Sequence, residues 1–254
     1  MAADPRPLQA TARIALACLD LTSLNEADTE ADIEALCARA QGRFGPVAAV
    51  CVWPRFAARA RALLPAGIAV AAVANFPEGG SDVDRALRDT EAIVHSGAQE
   101  VDLVLPYRDL AAAPALLAAV RRACAGLRLK VILETGELQT EALVARASRI
   151  ALDGGADFLK TSTGKTPRSA SPEAARWLLA AIATDAQARH RVGFKPAGGI
   201  RTVADAGVYI DLVAAHLGAA ALGPARFRIG ASSLLADIEA VLDGTARPAD
   251  GGRY

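Results

Sequence analysis

Lysine is scarce in this chain of 254 residues, which has 24 arginines but only four lysines. A coding bias toward arginine and alanine would explain the low total, but not the positions at which lysine remains. None of the four lies on a predicted helix face, where solubilising charges usually occur. An ammonium group can lose its proton and attack a carbonyl, which a guanidinium does not readily do. We therefore take the lysines as candidates for chemistry: Lys130, Lys160, Lys165 and Lys195.

Other shortages exclude classes of protein. The four cysteines are far apart and form no Cys-x-x-Cys pair, which predicts reduced thiols and neither a disulfide framework nor a zinc site. The formal net charge of zero argues against a nucleic-acid partner or an anionic membrane surface. No apolar run reaches about 18 residues, and the first residues contain no hydrophobic signal core. We expect a cytoplasmic protein.

Histidine is also rare. His95 falls near the end of a predicted helix, His190 just before a predicted strand and His216 inside a helix. None lies at the carboxyl end of a predicted strand, and no pair has the spacing of metal ligands. We predict no metal and no other cofactor.

Short apolar segments alternate with longer segments of helical periodicity. The predicted strands are Ile14–Thr22, Val47–Pro54, Ile68–Phe76, Glu100–Tyr107, Leu127–Thr135, Asp157–Thr163, Arg191–Ala197 and Phe227–Ala231. The predicted helices are Thr29–Gln41, Pro54–Leu64, Ser81–Ser96, Leu110–Ala125, Thr140–Gly154, Ser171–Ala188, Val203–Leu217 and Ser233–Leu242. Ser81 and Ser171 carry the residue pattern of helix starts.

This alternation indicates an α/β fold. Strands that are apolar on both faces are typical of a parallel sheet covered on both sides. Eight strand–helix units in a chain of this length predict a single (β/α)8 TIM barrel over residues 1–243, followed by a flexible tail over 244–254. The alternative is an open doubly wound sheet, which a Gly-x-Gly-x-x-Gly turn after the first strand would favour. The chain has no such turn there.

Polar residues lie near the carboxyl ends of the predicted strands, where barrel enzymes place their chemistry. Lys160 and Lys195 fall on neighbouring strands, about 4.8 Å apart. Burial and like-charge repulsion would lower the pKa of both amines, and an uncharged amine can form a Schiff base. Asp102 would then help to move protons. In the alternative, the two lysines bind a phosphate or carboxylate without covalent chemistry.

Two glycine-rich segments follow the last two strands and offer accessible backbone N–H groups. This is where the fold usually binds phosphate. Alternatively, the glycines form tight turns and a serine caps a helix. Glycine-rich ends on adjacent strands favour the phosphate site. Its candidate residues are Gly164, Lys165, Gly198, Gly199, Gly230, Ser232 and Ser233.

Seven segments together resemble the 2-deoxyribose-5-phosphate aldolase family, in the order the family has them. Two of them contain lysine, ADFLK-TSTGK over 156–165 and VGFKPAGGIR over 192–201. The others are LDLT from Leu19, NFP from Asn75, EVDLVLP from Glu100, VILETGEL from Val131 and RIGASSLL from Arg228. The resemblance runs from about Ile14 to Leu235.

The resemblance implies a class I aldolase that cleaves 2-deoxy-D-ribose 5-phosphate to D-glyceraldehyde 3-phosphate and acetaldehyde without a metal. It assigns Lys160 as the Schiff-base lysine, Lys195 as the lysine that perturbs it and Asp102 as the proton-transfer acid. It also implies a homodimer. Around these three, we expect the substrate pocket to contain Asp20, Thr22, Cys51, Asn75, Lys130, Thr163 and Tyr254.

Several alternatives stay open. Cys51 could be a thiol sensitive to unsaturated aldehydes, or an inert buried cysteine. Tyr254 could assist proton transfer, or belong to a disordered terminus. The whole chain could instead be a transaldolase or another Schiff-base aldolase, or a barrel that binds a sugar phosphate without turnover.

Overall fold

Parallel strands pair side by side around a central axis in the computed structural model, which describes residues 6–245. The strands are β1 Leu19–Thr22, β2 Ala49–Val52, β3 Ala69–Ala74, β4 Glu100–Val104, β5 Arg128–Ile132, β6 Phe158–Lys160, β7 Gly193–Lys195 and β8 Ile229–Ala231. The helices are α1 Leu8–Ala17, α2 Glu30–Arg39, α3 Pro54–Leu63, α4 Val83–His95, α5 Ala113–Ala123, α6 Thr135–Leu138, α7 Glu141–Asp153, α8 Pro172–Thr184, α9 Val203–Leu217 and α10 Leu234–Leu242. Two 3-10 turns cover Ala188–His190 and Ala219–Ala221.

The sheet closes into a barrel. Seven neighbouring strand pairs run in the order β7-β6-β5-β4-β3-β2-β1-β8, all parallel. The remaining edges meet through backbone bonds, in which Phe194 N–H donates to the carbonyl of Arg226 at 2.9 Å and Arg228 N–H donates to that of Phe194 at 3.1 Å. The predicted (β/α)8 barrel is confirmed, and the open doubly wound sheet is wrong.

Local sequence explains most of the element boundaries. The strands are built from Val, Leu, Ile and Ala that are buried on both faces, as a parallel sheet beneath a layer of helices requires. Ser171 caps α8 as predicted, because its side chain accepts the backbone N–H of Ala174 at 3.1 Å. The side chain of Asp82, rather than that of Ser81, caps α4 by accepting the N–H of Arg85.

The first predicted strand is partly wrong. Residues 14–17 belong to α1, and β1 begins only at Leu19. The buried residues of α1 are Thr11, Ala12, Ala15 and Leu16, a helical spacing that places them on one face. A short apolar run such as that from Ile14 to Leu19 does not by itself distinguish a helix from a strand. The predicted strand Leu127–Thr135 likewise contains the start of the one-turn helix α6.

No helix within residues 6–245 is long and apolar enough to cross a membrane. The predicted flexible tail lies almost wholly outside the described residues, which end three positions after α10.

Candidate active site

Two lysines and one aspartate meet inside the barrel. Lys160 and Lys195 are register partners at the carboxyl ends of β6 and β7. Asp102 projects from β4, and its Oδ2 lies 2.7 Å from Nζ of Lys160 and 2.8 Å from Nζ of Lys195. The structure therefore brings together the three residues predicted to carry the chemistry.

More charged side chains surround this trio inside the barrel. Lys130 on β5 lies 2.7 Å from Oδ1 of Asp102 and 2.6 Å from Oε2 of Glu100. Asp20 on β1 contacts Lys195 at 2.5 Å through Oδ2. Because every one of these side chains is almost completely buried, their charges are stabilised mainly by one another.

The two lysines have opposite pKa shifts. Burial lowers the pKa of Lys160, and the neighbouring Lys195 lowers it further, against the opposing effect of Asp102. Burial also works to lower the pKa of Lys195, but the carboxylates of Asp102 and Asp20 outweigh it and raise that pKa above its usual range. The prediction that both amines have a lowered pKa is therefore wrong for Lys195, which has a second carboxylate partner that Lys160 lacks.

The pKa of Asp102 is held well below its usual range. Burial alone would raise it, but Lys130, Lys160 and Lys195 together overcome that effect. The same opposition lowers the pKa of Asp20, through Arg228, Lys195 and Lys130. Both aspartates are consequently ionised at neutral pH.

A cavity of about 310 Å³ opens above Lys160 at the carboxyl ends of the strands. This volume lies near the lower limit for small-molecule sites. All seven candidate phosphate residues line it, together with Thr22, Thr163 and Lys160. Lys160 is 3% exposed and is the only one of the three central residues that reaches the cavity wall.

Glycine is required at two places around this cavity. Gly198 and Gly199 both have positive φ, of 84° and 83°, and a Cβ on Gly198 would lie 2.5 Å from Oγ of Ser169. Gly230 leaves room for Lys195, because a Cβ there would lie 3.1 Å from Cε of that lysine. At these three glycines the cavity wall is formed by backbone alone.

Glu134 fixes the loop that follows β6. It is buried, with a left-handed backbone (φ 53°), and its Oε2 accepts the backbone N–H of Thr163 at 3.2 Å and the hydroxyl of Thr163 at 2.5 Å. Its Oε1 accepts the hydroxyl of Thr166 at 3.2 Å. Lys165, carried by the same loop, donates from Nζ to the carbonyl of Leu24 at 2.7 Å across the cavity.

Five residues expected to form the substrate pocket or act on substrate do not reach the cavity wall. The side chains of strand residues alternate, and those that face the barrel interior lie one layer beneath the opening. Asn75 differs, because its Nδ2 donates to the carbonyls of Gly80 at 2.8 Å and Val104 at 3.0 Å and so holds the loop after β3. The five are Asp20, Cys51, Asn75, Asp102 and Lys130. Tyr254 lies outside the described residues.

The sequence interpretation missed three contributors. Arg201 lines the cavity beside Gly199, and its position after a glycine-rich turn could have indicated an anion-binding role. Glu100 and Arg228 lie at the starts of their strands, where polar residues are usually structural, so no signal distinguished them. Within residues 6–245, no three His, Cys, Asp or Glu side chains form a group that could hold a metal ion.

The chain is similar to known proteins over most of its length. The model of the DeoC/LacD family aldolases matches residues 14–240. A deoxyribose-phosphate aldolase from Agrobacterium fabrum is 49% identical over 247 residues, with 94% of each chain covered. The family match spans the strands, the cavity and the buried charges described above.

Two solved structures have the same fold. One is the apo form of a candidate deoxyribose-phosphate aldolase from Toxoplasma gondii ME49, with a TM-score of 0.84 and 25% identity, covering 93% of this chain and 97% of that one. The other is a candidate deoxyribose-phosphate aldolase from Coccidioides immitis, with a TM-score of 0.78 and 29% identity, covering 93% and 92%.

Proposed function

The chain belongs to the DeoC/LacD family of aldolases, and on that premise we propose that it cleaves 2-deoxy-D-ribose 5-phosphate reversibly to D-glyceraldehyde 3-phosphate and acetaldehyde, with Lys160 as the Schiff-base lysine. The observation that carries the proposal is the placement of Lys160. Its amine has a lowered pKa, lies beside a carboxylate and a second ammonium group, and alone among the central residues lines the cavity.

The reaction begins when the uncharged amine of Lys160 attacks C1 of the open-chain sugar. Loss of water, with one proton taken up from solvent, gives a protonated imine, which withdraws electrons from the C2–C3 bond. The C3 hydroxyl then loses its proton, the C2–C3 bond breaks, and glyceraldehyde 3-phosphate leaves as the enamine forms. Protonation at C2 and hydrolysis release acetaldehyde and restore the amine. No metal or other cofactor takes part in these steps.

Asp102 supports the proton transfers. Lys130, Lys160 and Lys195 hold its pKa well below the usual range, and Lys130 and Lys195 remain beside it when Lys160 reacts. We assign it to orienting a water that carries the proton between the C3 hydroxyl and C2. Lys195, which keeps its own proton, provides the positive charge that helps Lys160 to lose one.

The glycine-rich wall provides the phosphate site. Binding the 5-phosphate there fixes the far end of the sugar, so that C1 lies close to Nζ of Lys160. The site residues are Gly164, Lys165, Gly198, Gly199, Gly230, Ser232 and Ser233, with Arg201 as a further cation.

The reaction is tested by incubating the purified protein with deoxyribose 5-phosphate and measuring both products. We expect stoichiometric acetaldehyde and glyceraldehyde 3-phosphate, with the same rate in the presence of EDTA. A panel containing keto acids, fructose 6-phosphate and deoxyribose 5-phosphate separates this reaction from those of other Schiff-base aldolases. Turnover of another member in preference to deoxyribose 5-phosphate would overturn the assignment, as would binding without turnover. The expected homodimer is tested separately, by light scattering after size-exclusion chromatography.

A further inference from the structure

The buried charges continue below Lys195 toward the amino ends of the strands. Arg228 precedes β8, is 3% exposed in its side chain and does not line the cavity that contains Lys160. Its Nη1 lies 2.5 Å from Oδ1 of Asp20, and its Nη2 lies 2.7 Å from Oε1 of Glu100. Its Nε donates to the carbonyl of Pro224 at 2.6 Å. The guanidinium therefore has a partner on each of its three nitrogens.

Asp20 links this arginine to the reacting lysine. It uses Oδ1 for Arg228 and Oδ2 for Lys195, so both of its oxygens are fixed. Lys195 in turn shares Oδ2 of Asp102 with Lys160. An unbroken line of ion pairs thus runs from Arg228 to Lys160.

We propose that Arg228 is a positioning residue of the aldolase reaction: it fixes Asp20 against Lys195 and completes a balanced set of three buried carboxylates and three cations, which leaves Lys160 as the amine that can be uncharged. The carboxylates are Asp20, Glu100 and Asp102, and the cations are Lys130, Lys195 and Arg228. The inference rests on the proposed function only in taking Lys160 as the reacting amine.

Two further titratable groups lie beside Lys160, and neither differs between the wild type and the variants. Lys160 faces Asp102, Lys195 and the thiol of Cys51, and Glu134 acts on it from the loop after β5. Burial raises the pKa of the Cys51 thiol and that of Glu134, and hydrogen bonds from Thr163 and Thr166 oppose the rise for Glu134. Because both groups are present in every variant, they do not change the direction of the expected shifts.

Three groups besides Asp20 and Glu100 act around Arg228. Cys18 lies close enough to feel its charge, and burial raises the pKa of that thiol to about 12, so it is uncharged. Lys130 shares Glu100 with Arg228. Arg128, at the edge of the barrel, also contacts Glu100 at 2.6 Å, but its side chain is 35% exposed, so it is not one of the buried cations.

This balance of buried charges predicts that loss of Arg228 and loss of the charge of Glu100 change the pH at which Lys160 loses its proton in opposite directions. Without Arg228, three carboxylates would face Lys130, Lys195 and Lys160, and Lys160 would retain its proton to a higher pH. Without the charge of Glu100, four cations would face two carboxylates, and Lys160 would lose its proton at a lower pH. Removing both charges restores the balance.

The test measures the reactivity of Lys160 without any substrate. Wild type and the variants Arg228→Met, Glu100→Gln and the double variant are acylated with limiting acetic anhydride across a pH series. Peptide mass spectrometry then gives the rate at Lys160. A shift of about one pH unit is expected for each single variant, which makes labelling at a fixed low pH about tenfold slower in Arg228→Met and about tenfold faster in Glu100→Gln. The double variant should lie within about threefold of wild type.

Two further variants separate charge from structure. Arg228→Lys keeps the positive charge, and its labelling profile should stay closer to wild type than to Arg228→Met. The matched control is Arg121→Met. It removes a partly buried arginine of α5 that pairs with Asp157 at 3.1 Å and forms no ion pair with Asp20, Glu100 or Asp102. We expect no shift in that variant.

A folded Arg228→Met protein with the wild-type profile would overturn the proposal, as would single variants that shift in the same direction. If Arg228→Met does not fold, the isosteric Glu100→Gln variant decides by the direction of its shift. Since labelling needs no sugar, a wild-type protein that fails to cleave deoxyribose 5-phosphate contradicts only the proposed function. If the wild type is active but the labelling profile of Lys160 is unchanged in both single variants, only the role of Arg228 is contradicted.

Discussion

Lys160 and Lys195 are register partners on adjacent strands, yet the structure gives their amines opposite tendencies to hold a proton. The difference comes from Asp20, which contacts Lys195 at 2.5 Å and forms no ion pair with Lys160. One lysine is therefore a permanent cation and the other a potential nucleophile. This division of roles is the basis of the proposed reaction.

Replacing Lys160 by Leu should abolish turnover while the protein stays folded. The amine that forms the imine is lost, so we expect kcat/KM to fall by at least about a thousandfold. The fold should persist because the remaining three cations still balance the three buried carboxylates. Steady-state kinetics and thermal melting measure the two effects. Lys160→Arg serves as the charge-preserving comparison, and wild-type-like turnover in either variant would contradict the role of Lys160.

Replacing Lys165 by Met should weaken binding of the phosphate. Loss of a charged hydrogen-bond donor costs about 1.5 to 3 kcal/mol, which corresponds to a rise in KM of roughly ten- to a hundredfold for deoxyribose 5-phosphate. Activity on unphosphorylated deoxyribose should change little. Arg168→Met is the control, because Arg168 is an exposed cation of the same loop that does not line the cavity. Equal losses on both sugars in Lys165→Met would argue against a phosphate contact.

The free energy of unfolding should fall as the pH drops below about 4. The pKa values of Asp20, Glu100 and Asp102 in the folded protein lie below their usual values, so the unfolded chain binds more protons in this range. The three carboxylates stabilise the fold fully above about pH 5, where they are ionised in the unfolded chain as well. This stabilisation is lost as the pH falls toward their pKa values in the folded protein. Urea denaturation at pH 7, 5, 4 and 3 measures it. A free energy of unfolding that stays constant from pH 7 to pH 3 would contradict this prediction.

The same series separates buried from exposed carboxylates. Asp20→Asn should flatten the acid dependence, whereas Asp211→Asn should not. Asp211 also forms an ion pair, with Arg6 at 2.9 Å, but its side chain is 71% exposed. Solvent screening makes such pairs worth little.

Cys51 should react slowly with iodoacetamide in the folded protein. Burial raises the pKa of its thiol, and the nearby carboxylate of Asp102 raises it further. The side chain has no exposed surface. Alkylation requires the thiolate, so labelling should become fast only after addition of denaturant. Labelling of Cys51 within minutes in native protein would instead favour the reactive thiol considered from the sequence.

Much of this arrangement could be predicted from the sequence because the barrel imposes it. Once parallel strands close, the ends of β4, β6 and β7 must meet, so Asp102, Lys160 and Lys195 converge whatever the details of the helices. The glycine-rich segments follow the same rule, which is why all the candidate phosphate residues share one cavity wall.

The sequence could not predict in which layer of the barrel interior a side chain lies. Asp20 and Lys130 follow the expected alternation but point beneath the cavity, where each finds an opposite charge. The ion pair of Glu100 with Arg228 joins residues 128 positions apart. Both residues begin segments that resemble the aldolase family, but nothing in those segments indicated that the two side chains meet. Asn75 depends on a left-handed backbone at φ 54°, which the sequence pattern did not indicate.

Borohydride trapping shows directly whether Lys160 forms the imine with the substrate. The protein is incubated with deoxyribose 5-phosphate, reduced with sodium borohydride and digested for peptide mass spectrometry, with Lys160→Leu treated in parallel. We expect a stable secondary amine on the wild-type peptide that contains Lys160, with no adduct on Lys130, Lys165 or Lys195 and none in the variant. An adduct on another lysine, or none in folded protein that binds the sugar, would contradict the assignment of Lys160.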